Sequence, residues 1–457
     1  MNNSRGFSSR IGFIFAMAAF CIGIGNLWKF PYVVGNSGGG AFLLVYVIMV
    51  LVFGIPAFAI ELALGRASGL SPVAGMRKLE GKKHTGWAAI GWLGAASIFI
   101  ICSYANTIVG GWTGGYIVKV VTGEMNGMTA EEIGGVFGGF AGSNAAIGFS
   151  VISAVLLLLC LISGVKKGVE RVCSILLPAL FVIMIGLAVY SNTLPGAFEG
   201  LKWYLTPDFS KITFDVVAAA GMQVCFSIGI GMCCAFVYGS YLSKDEPLAG
   251  SVVMMAVMDT FIAFLAGLLI VPALFAFGIE PAAGPSLVYI TLPELFNDMG
   301  SFGNVFGCLF MICVYFAGFT SILGGAESLV ACITDQTKIE RKPASVIVTV
   351  AIFLVSILVT LSFRAGTMGE LKILNLGFFD FLDFLSSGIG LPFGALLMLL
   401  YVMFRWKYEG FQTEINLGAK KIRFGNGLKY YFYICLPILL IFVCYTIINS
   451  YVQMIMA

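Results

Sequence analysis

The sequence predicts an all-α polytopic membrane protein, and three observations carry that prediction. The chain is 59% hydrophobic and 11% charged, against about 25% charged residues in ordinary soluble domains. Mostly apolar runs recur along its 457 residues, each passing the length of about 18 residues that a membrane-crossing helix requires. Two of these runs are interrupted by Gly-x-Gly, "FCIGIGN" at 20–26 and "FSIGIGM" at 226–232. A transmembrane barrel would show alternating strands of about ten residues, and no such pattern is present.

Taken in order, eleven helices are expected, near 11–34, 40–68, 87–120, 147–163, 169–191, 214–242, 249–278, 301–334, 344–362, 380–404 and 430–455. The opening "MNNSRGFSSR" is short and polar and no small-residue cleavage site follows it, so a removed signal peptide is not expected. Basic residues concentrate in alternate connections, such as Arg77, Lys78, Lys82 and Lys83, then Lys166, Lys167 and Arg171, and later Lys420, Lys421 and Arg423. The positive-inside rule then puts the N-terminus in the cytoplasm, and an odd helix count puts the C-terminus outside. The longest outer connections are 122–146, 192–213 and 279–300. In the last of them "AAGPSLVYITLPELFNDMG" reads as a short helical hairpin over the entrance. The longest inner connection, 405–429, is too short for a soluble domain.

The whole of 1–457 is therefore expected to be one transmembrane transporter domain in the cell (inner or plasma) membrane. Residues 11–191 and 214–404 would form two inverted repeats, with 430–455 as an extra helix. The twelve cysteines form no CxxC pair and suit apolar packing. An intramembrane enzyme is not expected: the single histidine, His84, falls in a loop, leaving no buried Ser–His pair and no metal cluster. Nothing points to nucleic acid.

Glycine pairs are poor helix formers, so the two interruptions need a reason. One is close helix packing by small residues. The other is a broken helix, which membrane interiors tolerate only where the backbone is buried in protein or lines a wet cavity. Exposed half-helix ends then offer N–H groups to an anion and carbonyls to a cation. A dinucleotide-binding loop is excluded, since neither stretch follows a strand and the third glycine is missing. Helix 1 continues "NLWKFP", with Asn26, Lys29 and Pro31 at membrane depth. Matching breaks in helices 1 and 6 point to an inverted-repeat transporter.

Asp259 lies about ten residues into helix 7, roughly 15 Å from its inner end at about 1.5 Å per residue. An unpaired carboxylate there costs about 3 kcal/mol. It is either an ion ligand or a protonated acid bonded to a neighbouring helix.

Longer stretches carry a family resemblance. "RIGFIFAMAAFCIGIGNLWKFPYVVGNSGGGAFLLVY", "GIPAFAIELALGR", "GGWTGGY", "DTFIAFLAGLLIVPALFAFG" and "AGFTSILGGAES" closely resemble the neurotransmitter:sodium symporter family, in order and over most of the chain. The resemblance implies sodium-coupled uptake of an amino acid or related amine by alternating access. It implies a first sodium site of the Cys21 carbonyl, Asn26, Ser227 and Asp259, and a second of the Ala19, Ile22 and Ala317 carbonyls with the Thr320 and Ser321 hydroxyls. Alone, the two hydroxyls would be read as bonding back to their own helix.

By the same resemblance the substrate meets Cys21, Gly23, Ile24, Gly25, Asn106, Phe226, Ser227, Gly229, Met232, Ser321 and Gly325. Asn106 stands where the family usually has Tyr, six residues before the tryptophan of "GGW"; it can donate to a carboxylate or merely bond between helices. Gly229, Met232 and Gly325 suggest a roomy side-chain end and a large hydrophobic or aromatic amino acid. Lys29 and Asp383, with Phe226 as lid, are the candidate outer gate, although Lys29 can also snorkel outward. Asp335 matches the inner-gate acid, but its usual N-terminal Arg partner has no match: Arg5 falls one position off, and Phe7 replaces a customary Trp. Glu61 and Glu327 match a buried polar pair.

Tyr46, Gln223 and Ser227 match residues that surround chloride in animal members. Here Asp259 supplies a negative charge and Ala263 stands one turn on, so chloride is not expected to be required. One or two sodium ions, an amino acid and the bilayer are the expected partners, with monomer and dimer both open. A proton- or exchange-driven carrier of the same architecture, and a non-transporting amino acid sensor, are the rival readings.

Overall fold

The computed structural model describes residues 6–81, 86–279, 286–419 and 421–456. Arg5, Lys82, Lys83, His84 and Lys420 lie outside the described residues, as do 280–285 of the expected outer hairpin.

All eleven expected helices are present. Helix 1 is in two halves, Arg10–Cys21 and Gly25–Asn36, bent by 54°. Helices 2 to 5 span Gly40–Ser68, Ala89–Thr122, Asn144–Ile162 and Val165–Ser191. Helix 6 is also in two halves, Phe214–Ile228 and Cys234–Ser240. Helices 7 to 11 span Leu248–Phe277, Gly303–Gln336, Arg341–Leu361, Phe378–Asn416 and Leu428–Met456. A two-residue hairpin pairs Lys372–Ile373 with Leu376–Gly377 ahead of helix 10. Helices 3 and 8, of 34 residues each, exceed what an upright span needs.

The two breaks differ in cause. In helix 6 the chain takes positive φ at Gly229 (+71°), Gly231 (+90°) and Cys233 (+61°), a region costly for residues with a Cβ. Gly231 is doubly required, because a Cβ there would come within 2.1 Å of the Leu391 carbonyl oxygen. In helix 1 neither Gly23 nor Gly25 has positive φ. They serve close approach instead: a Cβ at Gly23 would meet Ser321 Oγ at 2.7 Å, and one at Gly25 the Phe226 ring at 2.9 Å. The helix 1 ladder ends where Ile22, extended at ψ 93°, gives its N–H to the Ala18 carbonyl.

Helices 2, 7 and 8 are largely buried, whereas helices 4, 5 and 11 present apolar outer faces, among them Leu159, Val182 and Ile438. Such faces suit lipid, which needs no polar covering. The connection expected from 405 onward is instead helical to Asn416 after a turn at Lys407 (φ +61°). Tyr408, Phe411 and Ile415 are buried along it, and Arg66 of helix 2 binds Glu414 there, Nε to Oε1 at 2.8 Å. Periodicity marked the end of the apolar run but not this amphipathic continuation, which tertiary packing stabilises.

Candidate functional site

The break of helix 1 faces the break of helix 6, and Asp259 of helix 7 closes the gap between them. The Asn26 amide nitrogen donates to Asp259 Oδ1 at 2.9 Å, and Ser227 Oγ donates to Asp259 Oδ2 at 2.9 Å. Asn26 Oδ1 accepts the Gly23 N–H at 3.1 Å, tying this cluster to the unwound turn. Asp259 and Asn26 are fully buried. Among the described residues no basic side chain pairs with Asp259, so its charge rests on two neutral donors. A small cation suits such a group of hard oxygen ligands.

A second group of oxygens lies between helix 1 and helix 8. Thr320 Oγ1 lies 3.0 Å from the Ala19 carbonyl and 3.1 Å from that of Ala317. Ser321 Oγ is 3.3 Å from the Ile22 carbonyl, 3.4 Å from that of Ala19 and 2.8 Å from that of Phe20. All five groups expected at the second sodium site therefore come together. Both hydroxyls also bond back to their own helix, which is the plain reading of them.

Beside both groups lies an apolar cavity. Cys21, Gly23, Ile24, Gly25, Phe226, Ser227, Gly229, Met232 and Ser321 line it as expected, together with Phe20, Ile98, Ile101, Cys102, Tyr104, Ala105, Gly318 and Ile322. Two expected residues do not. Asn106 turns away to helices 4 and 9, donating to Ser356 Oγ at 3.2 Å and the Ser150 carbonyl at 3.4 Å. The reason is local: helix 3 becomes π-helical over Asn106–Thr113. The wider i→i+5 turn rotates residues away from the face that α-helical counting back from Trp112 assigns. Gly325 does not enlarge the cavity, because Cys102 Sγ and Ile98 already fill the space beside it. The missed residues had a signal. Ile98, Ile101, Cys102 and Ala105 follow i, i+3, i+4, i+7, and Gly318, Ser321 and Ile322 begin the same stripe on helix 8.

On the outer side Lys29 and Asp383 share a vestibule with Phe226 but form no ion pair. The Lys29 ammonium stands over the Phe226 ring, 4.3 Å from its centroid. Asp383 instead accepts hydroxyl hydrogen bonds from Ser387 at 2.7 Å and Tyr451 at 2.6 Å. In this structure Lys29 and Asp383 thus stand apart, each with partners of its own. Gln223 gives its amide N–H to the Gly25 carbonyl at 2.9 Å, while Tyr46 Oη is buried without a hydrogen-bond partner. Ala263 is fully buried.

At the other end Asp335 accepts the Ser71 N–H at 2.7 Å. The N-terminal segment is held by Glu170, which accepts from the Ser8 N–H at 2.7 Å and from the Ser8 hydroxyl, while Phe7 stacks on Tyr238. Glu61 and Glu327 do not pair with each other. Glu61 accepts the Gly231 N–H of the helix 6 break at 3.0 Å. Glu327 binds Arg341 at 2.5 and 2.8 Å and accepts the Tyr241 hydroxyl at 2.9 Å.

The family model described as "Sodium:neurotransmitter symporter family" matches residues 5–132 and 142–457. The chain is 33% identical over 427 residues to the uncharacterized sodium-dependent transporter YhdH of Bacillus subtilis (strain 168), covering 93% of this chain and 92% of that protein. It is 30% identical over 456 residues to the uncharacterized sodium-dependent transporter MJ1319 of Methanocaldococcus jannaschii, covering 95% of this chain and 88% of that one. Among solved structures it is similar to MhsT in complex with L-phenylalanine. There the TM-score is 0.86 and the identity 35%, over 97% of this chain and 99% of that chain.

Proposed function

The chain belongs to the sodium:neurotransmitter symporter family, and we propose that it takes up a large hydrophobic or aromatic amino acid by sodium-coupled symport and alternating access. Membership makes it a sodium-dependent membrane transporter and not an enzyme. The amino acid and its class are the further step. The observation that carries it is the buried Asn26–Ser227–Asp259 cluster beside an apolar cavity that both broken helices line. The carboxylate of an amino acid held at Gly23 and Gly25 would complete the first cation's shell, so substrate and ion would bind together. The apolar remainder of the cavity, with adaptable Met232, favours a large side chain, in keeping with the L-phenylalanine bound in the similar MhsT structure.

Each charge moved inward gains about 2.3 kcal/mol per 100 mV in addition to its concentration gradient. Two oxygen groups would give room for two ions. Asp259 supplies a fixed negative charge, so chloride is not required.

The test is uptake of labelled L-phenylalanine into proteoliposomes under an inward sodium gradient, with the twenty unlabelled amino acids as competitors. Uptake should need sodium, survive replacement of chloride by gluconate, and be competed most strongly by aromatic and large aliphatic amino acids. Uptake that glycine and alanine compete best would overturn the substrate class. Collapse in gluconate would overturn the role given to the Asp259 charge.

A further inference from the structure

The outer vestibule holds a polar constellation around Asp383 that meets the apolar cavity only through Tyr104 and Phe226. Asp383 of helix 10 accepts hydroxyl hydrogen bonds from three helices. Oδ1 takes Ser387 of its own helix at 2.7 Å and Tyr104 of helix 3 at 3.3 Å, while Oδ2 takes Tyr451 of helix 11 at 2.6 Å. Opposite it, Lys29 rests on the Phe226 ring.

The place of Tyr451 is built rather than incidental. Its ring packs on Phe384 with centroids 5.3 Å apart. Gly388, within the π-helical stretch Phe384–Gly390, leaves the space for it, since a Cβ there would come within 2.9 Å of the Tyr451 ring. The end of helix 11 is also held from the other side, where Asn375 of the hairpin donates its amide N–H to the Ile455 carbonyl at 3.1 Å.

We propose that Tyr451, on the extra helix 11, is a positioning residue of the outer gate: its hydroxyl fixes the Asp383 carboxylate by Oδ2 in the orientation that Lys29 meets when the vestibule closes over substrate. An ionised carboxylate offers about two acceptor sites on each oxygen. Oδ1 already has two partners and Oδ2 has one, so the ammonium joins at Oδ2 without displacing the tyrosine. The arrangement answers a weakness of lysine in this place. A flexible point charge lacks the planar fork by which arginine orients a carboxylate, and here the acid side supplies the orientation instead. Helix 11 thereby becomes part of the gate rather than an accessory span.

The inference rests on the transport reading above. The probe is tritiated L-phenylalanine bound to the purified full chain in saturating sodium, and the readout is its dissociation rate after dilution. Y451F keeps the ring and removes only the hydroxyl. It should release the probe about tenfold faster, the size of one charge-assisted hydrogen bond lost from the closed state. D383N should do the same, and Y451F/D383N should be no faster than D383N alone. G388A, which pushes the ring while keeping the hydroxyl, should also accelerate release. Release from Y451F at the wild-type rate, or effects of Y451F and D383N that multiply, would overturn the proposal. A wild-type chain that shows no sodium-dependent binding of the probe would count against the transport reading itself, and the gate would fall with it.

Discussion

Ser227 donates to Asp259 from helix 6 and, in the proposed mechanism, is one of the oxygens offered to the first cation. Ser227→Ala should weaken sodium dependence, raising the half-saturating sodium concentration by about tenfold, as expected for a lost hydrogen bond to a charged group. A sodium titration of uptake checks this. Ala105 lines the cavity, and A105F should fill it, raising the half-saturating concentration of L-phenylalanine by an order of magnitude or more while leaving small amino acids less affected. Competition series on the two proteins would show this. At this scale the sequence was uneven. Asn26 and Asp259 stood out because polar groups at membrane depth are costly and few, whereas Ser227 entered only through the family resemblance. Ala105 and Ile98 did not, because an apolar residue facing a cavity resembles one facing lipid. Asn106 misled because its position relative to the cavity depends on whether the helix beneath it is α or π, which residue types do not announce.

Helices 1 and 6 are broken by different means, and substitutions should separate them. G231A must take φ near +90° and drive a Cβ to within 2.1 Å of a carbonyl oxygen. It should therefore abolish folding or transport. Gly148 on helix 4 has nothing within 4 Å of an added Cβ, and G148A should stabilise the helix by up to about 1 kcal/mol. Thermal unfolding midpoints of the two variants in one detergent make the comparison. G25A should lie between them, since the tight contact of its Cβ is with a side chain, the Phe226 ring at 2.9 Å, which can give way. The breaks themselves were legible in the Gly-x-Gly pairs and their neighbours. Which glycine serves positive φ and which serves close approach was not, because both needs are met by the same missing Cβ. The extension of helix 10 to Asn416 was likewise hidden, because its buried face is short and its anchor, Arg66, is nearly 350 residues away in sequence.

For the molecule as a whole, composition and apolar run length announced the class, and matching breaks in two spans announced a central site between them. What holds that site in place is longer in range. Arg66 is fully buried and bound to Glu414, which also takes Lys244 at 2.7 Å. Glu414→Ala leaves a guanidinium buried without its counter-charge, a change that costs about 3–5 kcal/mol in comparable settings. It should lower the thermal midpoint well beyond the drop seen for Glu409→Ala, whose partner Lys429 is solvent-exposed. In the proposed mechanism Asp259, which no basic side chain among the described residues pairs with, holds the driving ion beside the substrate. The most direct measurement is a sodium titration of L-phenylalanine uptake by wild type and D259N in proteoliposomes, with choline replacing sodium. Wild type should show saturable, sodium-dependent uptake, and a folded D259N should lose it. Equal uptake in choline and sodium, or a D259N protein with an unchanged sodium curve, would contradict it.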